Sequence, residues 1–210
     1  MVSNIVATLT SSSNQEKVLS VVAIVGLGGI GKTTLARSVT KQLKEGEAKY
    51  FDTMLWVYVS NIFDVNSILR RMVESCDQAA TTITSREALI ERLHTMLKNK
   101  RIFIVLDDVW NEEKDNWDLL KSCLLQLNLA GGSTVIVTSR SSQVASIMEV
   151  VHCWDQETLS DDDCWSILKD RAFPDPNAPV ASERKKIGRE IAKKCAGLPL
   201  AAKVQYLPPY

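Results

Sequence analysis

No sign of charge dominates this chain: 25 Lys and Arg stand against 25 Asp and Glu in 210 residues. A formal net charge of zero excludes a global field that would draw in a nucleic-acid backbone or an anionic membrane, so any anion site has to be local. Cysteine is sparse and unpatterned. Cys76, Cys123, Cys153, Cys164 and Cys195 are odd in number, scattered and free of any CxxC pair, which speaks against a disulfide framework and a zinc site. They read as reduced thiols of a cytoplasmic protein. Long apolar runs are missing too. Stretches such as Val21–Val25 and Ile102–Leu106 have strand length, far short of the roughly 20 residues a membrane span needs. The first 20 residues are polar and Ser-rich, without a signal-peptide core. What remains, 45% hydrophobic and 24% charged, is a globular chain with room for one α/β core and a small satellite.

Val21–Val25 is a continuous β-branched run that ends in glycines, which suits a strand buried on both faces of a parallel sheet. Leu35, Ala36, Val39 and Leu43 then recur at helical spacing over 33–44. A second strand is predicted over 53–60, followed by a helix with Ile68, Leu69, Met72 and Val73 on its apolar face and Asp64 at its cap. After a polar linker over 77–84, Ser85 gives a partial capping signal for a helix carrying Leu89, Ile90, Leu93, Met96 and Leu97. A third strand (102–106), a helix (117–127), a fourth strand (133–138), a short helix (142–148) and a fifth strand (150–154) follow. This alternation predicts βαβ units with right-handed crossovers. Past residue 158 the pattern turns helical, over 160–173 and 181–196, on either side of the proline-rich segment 174–179.

Gly26-Leu27-Gly28-Gly29-Ile30-Gly31-Lys32-Thr33 fits G-x-x-x-x-G-K-[ST] in full, directly after a strand and before a helix. Glycines let successive backbone N–H groups turn inward, and the N-terminus of the following helix adds positive potential where a phosphate sits. Lys32 reaches β- and γ-phosphate oxygens, and the Thr33 hydroxyl can ligate Mg²⁺. An ordinary glycine turn would need neither the lysine nor the threonine. Ile102–Asp108 (IFIVLDD) is an apolar strand ending in two acids. Alone it would read as a solvated strand end or a cap; beside a phosphate loop it reads as a second nucleotide motif. Asp107 is then a Mg²⁺ partner, through water, and Asp108 the catalytic group that polarises an attacking water. Arg140 follows the fourth strand, and its guanidinium either senses a terminal phosphate or is a surface arginine. His94 and His152 lack partnered Cys or Ser patterns and read as surface or packing residues. Trp56, Trp110, Trp117, Trp154 and Trp165 read as packing residues.

With these motifs placed, the chain resembles the NB-ARC domain of plant intracellular immune receptors, the NLR or NBS-LRR disease-resistance proteins. GLGGIGKTT (26–34), FDTMLWVYVS (51–60), LDDVW (106–110), GSTVIVTSR (132–140), LSDDDCWSILKDRAF (159–173) and GLPLA (197–201) occur in the family's order and approximate spacing over about 18–203. The tryptophan closing LDDVW is similar to the coiled-coil class, not the class with a TIR domain. The resemblance implies an α/β P-loop NTPase fold of AAA+-like, STAND type: a five-stranded parallel sheet with flanking helices, then part of a helical ARC1 subdomain. Boundaries follow as an N-terminal linker (1–17), a nucleotide-binding domain (18–157), the helical part (158–204) and an atypical tail (205–210).

It further implies an ATP/ADP switch. ADP holds a closed resting form, exchange for ATP permits opening, oligomerisation and defence signalling, and hydrolysis is slow or absent. By the same resemblance the adenine nucleotide and Mg²⁺ are held by Gly26 through Thr34 with Asp107, Arg140 becomes the γ-phosphate sensor, and Pro199 packs close to adenine. Thr33 and Asp107 are the metal-side residues. Partners implied are the receptor's own leucine-rich repeats and coiled coil, and other copies in an oligomer, with no nucleic acid and no membrane span. The stretch 1–14 lacks the family's GR-containing motif, and later receptor domains are missing, so the reading expects a fragment. A turnover ATPase or kinase is the competing class, and a scaffold with a vestigial nucleotide site a third.

Overall fold

The computed structural model describes residues 1–11, 16–46, 49–59, 62–77, 82–173 and 181–204. The elements run α1 (Val2–Leu9), β1 (Leu19–Val25), α2 (Lys32–Glu45), β2 (Thr53–Tyr58), α3 (Val65–Asp77), α4 (Arg86–Leu97), β3 (Ile102–Val109), α5 (Lys114–Leu125), β4 (Ser133–Ser139), α6 (Ser142–Ile147) and β5 (His152–Asp155). Three helices follow: α7 (Asp161–Ala172), α8 (Ser182–Lys194) and α9 (Pro199–Val204). The chain divides into two compact units. One comprises Met1–Val25 and Lys32–Asp155; the other comprises the loop Gly26–Gly31 and the described residues from Gln156 onward.

In the first unit all five strands pair in parallel, in the order β2-β3-β4-β1-β5. Strand periodicity explains the layers, because successive side chains leave a strand on opposite faces. From β3, Ile102, Ile104 and Leu106 enter a cluster with Ile68, Leu69 and Met72 of α3, Leu89 and Leu93 of α4 and Trp117 and Leu120 of α5. Phe103 and Val105 point the other way, into a cluster with Ile5 and Leu9 of α1 and Leu35, Ala36 and Val39 of α2. Helices therefore cover both faces, which is why the strands read as unbroken apolar runs. Two caps form as the sequence suggests: the Asp64 carboxylate accepts from the Ser67 amide at 2.8 Å, and the Ser85 hydroxyl accepts from the Ala88 amide at 3.1 Å.

The second unit is helical. Cys164, Trp165, Leu168, Ala192, Cys195 and Ala202 form its core. A full capping box opens α7, with Ser160 and Asp163 each accepting from the other's backbone N–H. Gly188 of α8 lies against the Trp165 ring so closely that a Cβ there would collide with it.

Three expectations change. Where a linker was expected over 1–17, the structure has the helix Val2–Leu9, with Ile5 and Leu9 fully buried. The i, i+3, i+4, i+7 spacing of Val2, Ile5, Val6 and Leu9 carries this helix and is easily hidden by the polar residues around it. The third strand runs on through Asp107 and Asp108 to Val109, past its expected end at 106, because hydroxyls of β4 give the polar end bonding partners. The fifth strand pairs over His152–Asp155, two residues later than its apolar run begins. Residue 60, half of the 77–84 linker, the proline-rich 174–179 and the 205–210 tail lie outside the described residues.

Candidate functional site

Asp107 lies near the end of β3 and is only 4% exposed. A buried carboxylate needs several donors, and two hydroxyls supply them. Thr33 Oγ1 donates to Asp107 Oδ1 at 2.9 Å, and Thr138 Oγ1 of β4 donates to the same oxygen at 2.6 Å. Thr138 Oγ1 in turn accepts the Asp108 amide at 2.8 Å, so one threonine holds the backbone after Asp107 as well as its side chain. The Ser139 hydroxyl donates to the Val109 carbonyl at 2.7 Å and continues the tie between β3 and β4.

Asp108 stands in the left-handed region at φ 61°, where β3 shifts register against β4 between Leu106 and Val109. Short polar side chains tolerate that region best among non-glycine residues. The turn sends the two acids to different surroundings: Asp107 stays inside, while the Asp108 carboxylate is partly open and lies 3.9 Å from Arg140 Nε. Arg140 also lies over the Trp110 ring, 4.5 Å from its centroid.

Lys32 begins α2 and is buried. Burial pushes its ammonium below the usual lysine range, the Arg140 charge adds to this, and Asp108 and Asp107 oppose it. Thr33 and Asp107 place two hard oxygens 2.9 Å apart. That hydroxyl and carboxylate are the hard oxygen donors a Mg²⁺ would take, with Asp107 acting through water. Among the described residues no group of three or more His, Cys, Asp and Glu could hold a metal ion. A Mg²⁺ that takes few protein ligands and the rest from phosphate and water fits this donor set.

The loop Gly26–Gly31 links β1 to α2 along the chain and makes its own contacts inside the second unit. Gly26, Gly29 and Gly31 have positive φ of 147°, 77° and 103°. At Gly29 an added Cβ would stand 2.9 Å from Leu200 Cβ in a backbone conformation that L residues avoid, so only glycine serves there. The Leu200 amide donates to the Gly29 carbonyl at 3.2 Å, and Gln156 Nε2 donates to the Ile30 carbonyl at 3.2 Å. Ile30 is buried and Leu27 exposed. Pro199 opens α9, a position its fixed φ suits, directly before the residue that meets the loop.

Lys32, Thr33, Asp107, Asp108 and Arg140 thus meet within the first unit, while Thr34 faces solvent. Thr138, Gln156 and Leu200 were missed. Thr138 had a signal, a hydroxyl at the inward end of an apolar strand; Gln156 and Leu200 had none, because their contacts span 126 and 171 positions of chain. Of the five tryptophans, Trp117 and Trp165 are buried packing residues, but Trp110 is 42% exposed and carries an arginine, which corrects the packing role expected of it. His94 lies 3.3 Å from Asn128 Nδ2 at the surface, and His152 stacks at 4.2 Å on Trp154, in keeping with packing roles.

A parallel 2-3-4-1-5 sheet, a glycine loop between β1 and α2, and acids at the end of β3 define a P-loop nucleotide-binding module. Solved structures of the same fold include a DNA-bound ORC from Drosophila (TM-score 0.62, 17% identity, covering 96% of this chain and 52% of that one). The Thermotoga maritima RuvB branch-migration motor is another (TM-score 0.55, 16% identity, 96% and 58% covered). The NB-ARC domain profile matches residues 1–178, and the chain belongs to that family. The match takes in α1, which the 18–203 span of the motifs had left out. Relatives include a putative disease resistance RPP13-like protein 1 of Arabidopsis thaliana, 37% identical over 197 residues. A putative disease resistance protein RGA1 of Solanum bulbocastanum is 36% identical over 199 residues. These alignments cover 93% and 95% of this chain but 18% and 20% of the relatives, so the chain spans about a fifth of their length.

Proposed function

We propose that this chain is the ATP/ADP-binding switch module of a plant intracellular immune receptor, acting in the cytoplasm with slow or no ATP hydrolysis. The observation that carries the reading is the buried Lys32 beside Thr33, hydrogen-bonded to Asp107 at the head of α2, immediately after a loop of three positive-φ glycines. Backbone N–H groups of Gly26–Thr34 cradle the phosphates, and Lys32 supplies the mobile cation. When bound, Mg²⁺ neutralises phosphate charge. Thr33 and Asp107 are the residues that hold it. Asp108, partly open and 3.9 Å from Arg140 Nε, orients a water in this reading, and Arg140 reads a terminal phosphate. Pro199 lines the adenine side.

The domain division proposed is a nucleotide-binding domain over 18–157, preceded by α1, which packs on its sheet, and a partial helical ARC1 region over 158–204. Other receptor domains and further copies of the receptor are the partners this role requires. A formal net charge of zero gives no support to nucleic-acid binding, and no described helix is long and apolar enough to cross a membrane.

Mass spectrometry of nucleotide released from the purified protein, followed by thermal unfolding with ADP-Mg²⁺ and ATP-Mg²⁺, tests the reading. Ligand at about 100 times its Kd adds roughly 2.7 kcal/mol. Lys32→Ala is expected to abolish most of that gain. An undiminished gain in the variant removes Lys32 from the phosphate site.

A further inference from the structure

Trp110 has no part in the roles assigned above. It follows β3 directly, as Arg140 follows β4, and the preceding residues Val109 and Ser139 are register partners. The Ser139 hydroxyl on the Val109 carbonyl and the Asp108 amide on Thr138 fix the two strand ends. Trp110 and Arg140 are therefore neighbours just beyond the last tied pair, and the guanidinium carbon lies 4.5 Å from the indole centroid. The tryptophan is otherwise 42% exposed, a poor use of so large an apolar ring if packing were its purpose. A stack occupies the π face of a guanidinium and leaves its in-plane N–H groups to meet an anion in bidentate fashion. Asp108, 3.9 Å from Nε, adds a second restraint from another direction.

We propose that Trp110 is a positioning residue for Arg140: its ring pre-orients the guanidinium at the carboxyl edge of the sheet for the terminal phosphate of a nucleoside triphosphate. The inference rests on the nucleotide reading of this site and assigns it a determinant of triphosphate over diphosphate preference. An unstacked arginine at a half-exposed strand end samples many rotamers, and ordering it on binding subtracts from affinity. The stack removes that cost in advance, and only for a ligand that Arg140 touches. A diphosphate ends short of the guanidinium and gains nothing from it.

Calorimetric titration with ADP-Mg²⁺ and with a non-hydrolysable ATP analogue and Mg²⁺ tests this on the wild type, Trp110→Ala, Trp110→Phe, Arg140→Ala and the Trp110→Ala/Arg140→Ala double variant. A cation–π contact at an exposed site corresponds to about a two- to five-fold change in Kd. Trp110→Ala is expected to weaken the triphosphate by that factor and to leave the diphosphate unchanged. Trp110→Phe recovers part of the loss, and the loss disappears in the Arg140→Ala background. Equal weakening of both nucleotides, or the same loss without Arg140, overturns the positioning role while leaving the nucleotide site intact. A wild type that binds neither nucleotide overturns the site reading and this inference together.

Discussion

In the sheet unit, Ile102 through Leu106 are all no more than 1% exposed and divide their side chains between two large clusters. Among the described residues, the helical unit's buried core is Trp165, which lies on a glycine, with Leu168, two cysteines and two alanines, flanked by partly buried residues such as Ile167 and Phe173. Burial in the first is spread over many contacts from both faces of a sheet, so loss of one residue is shared. Burial in the second hinges on a single close approach, so a methyl group in the wrong place disturbs most of its core.

The comparison can be broken by substitution. Trp117→Ala removes the largest fully buried side chain of the sheet unit and should cost about 3–5 kcal/mol in chemical denaturation. Hydrogen exchange should show that loss across β3, β4 and the helices over them. Gly188→Ala drives a methyl into Trp165 and should cost about 2–3 kcal/mol. Its faster exchange should be confined to α7, α8 and α9; exchange raised equally in the sheet would contradict the separate accounting of the two cores. Thr138→Val keeps the shape of a buried β4 position but strips one donor from Asp107 and the acceptor from the Asp108 amide. A cost of about 1–2 kcal/mol is expected, together with weaker nucleotide binding.

Asp64→Ala gives the smallest effect, about 1 kcal/mol for a lost N-cap. Hydrogen bonding from Ser67 holds the Asp64 carboxyl below its usual range. A depressed carboxyl pKa stabilises the fold above the unfolded value, about 3.9, and that contribution is lost as pH falls through the folded value. The stability difference between wild type and Asp64→Ala should therefore be full at neutral pH and shrink in acid. A difference that grows in acid would contradict the cap.

Much of this architecture is legible because local patterns decide it. Strands buried on both faces must be apolar throughout, and Val21–Val25 and Ile102–Leu106 announce themselves. The phosphate loop is legible because its chemistry requires contiguous residues. Legibility fails where the physics is non-local. That Asp108 turns into the left-handed region and parts company with Asp107 depends on a hydroxyl 30 residues away. That Gly29 and Ile30 are held by Leu200 and Gln156 depends on a return of the chain that no spacing rule encodes. Helix α1 escapes for another reason: Val2, Ile5, Val6 and Leu9 keep helical spacing, but over only two turns ahead of a serine-rich stretch whose composition reads as linker.

In the proposed function Lys32 and the glycine loop Gly26–Gly31 hold a polyphosphate. Isothermal calorimetry of the folded wild-type chain with ADP-Mg²⁺ measures that binding directly. Saturable binding of one nucleotide per chain, lost in Lys32→Ala, is the result expected; a flat titration up to millimolar nucleotide, on protein shown to be folded, would contradict it.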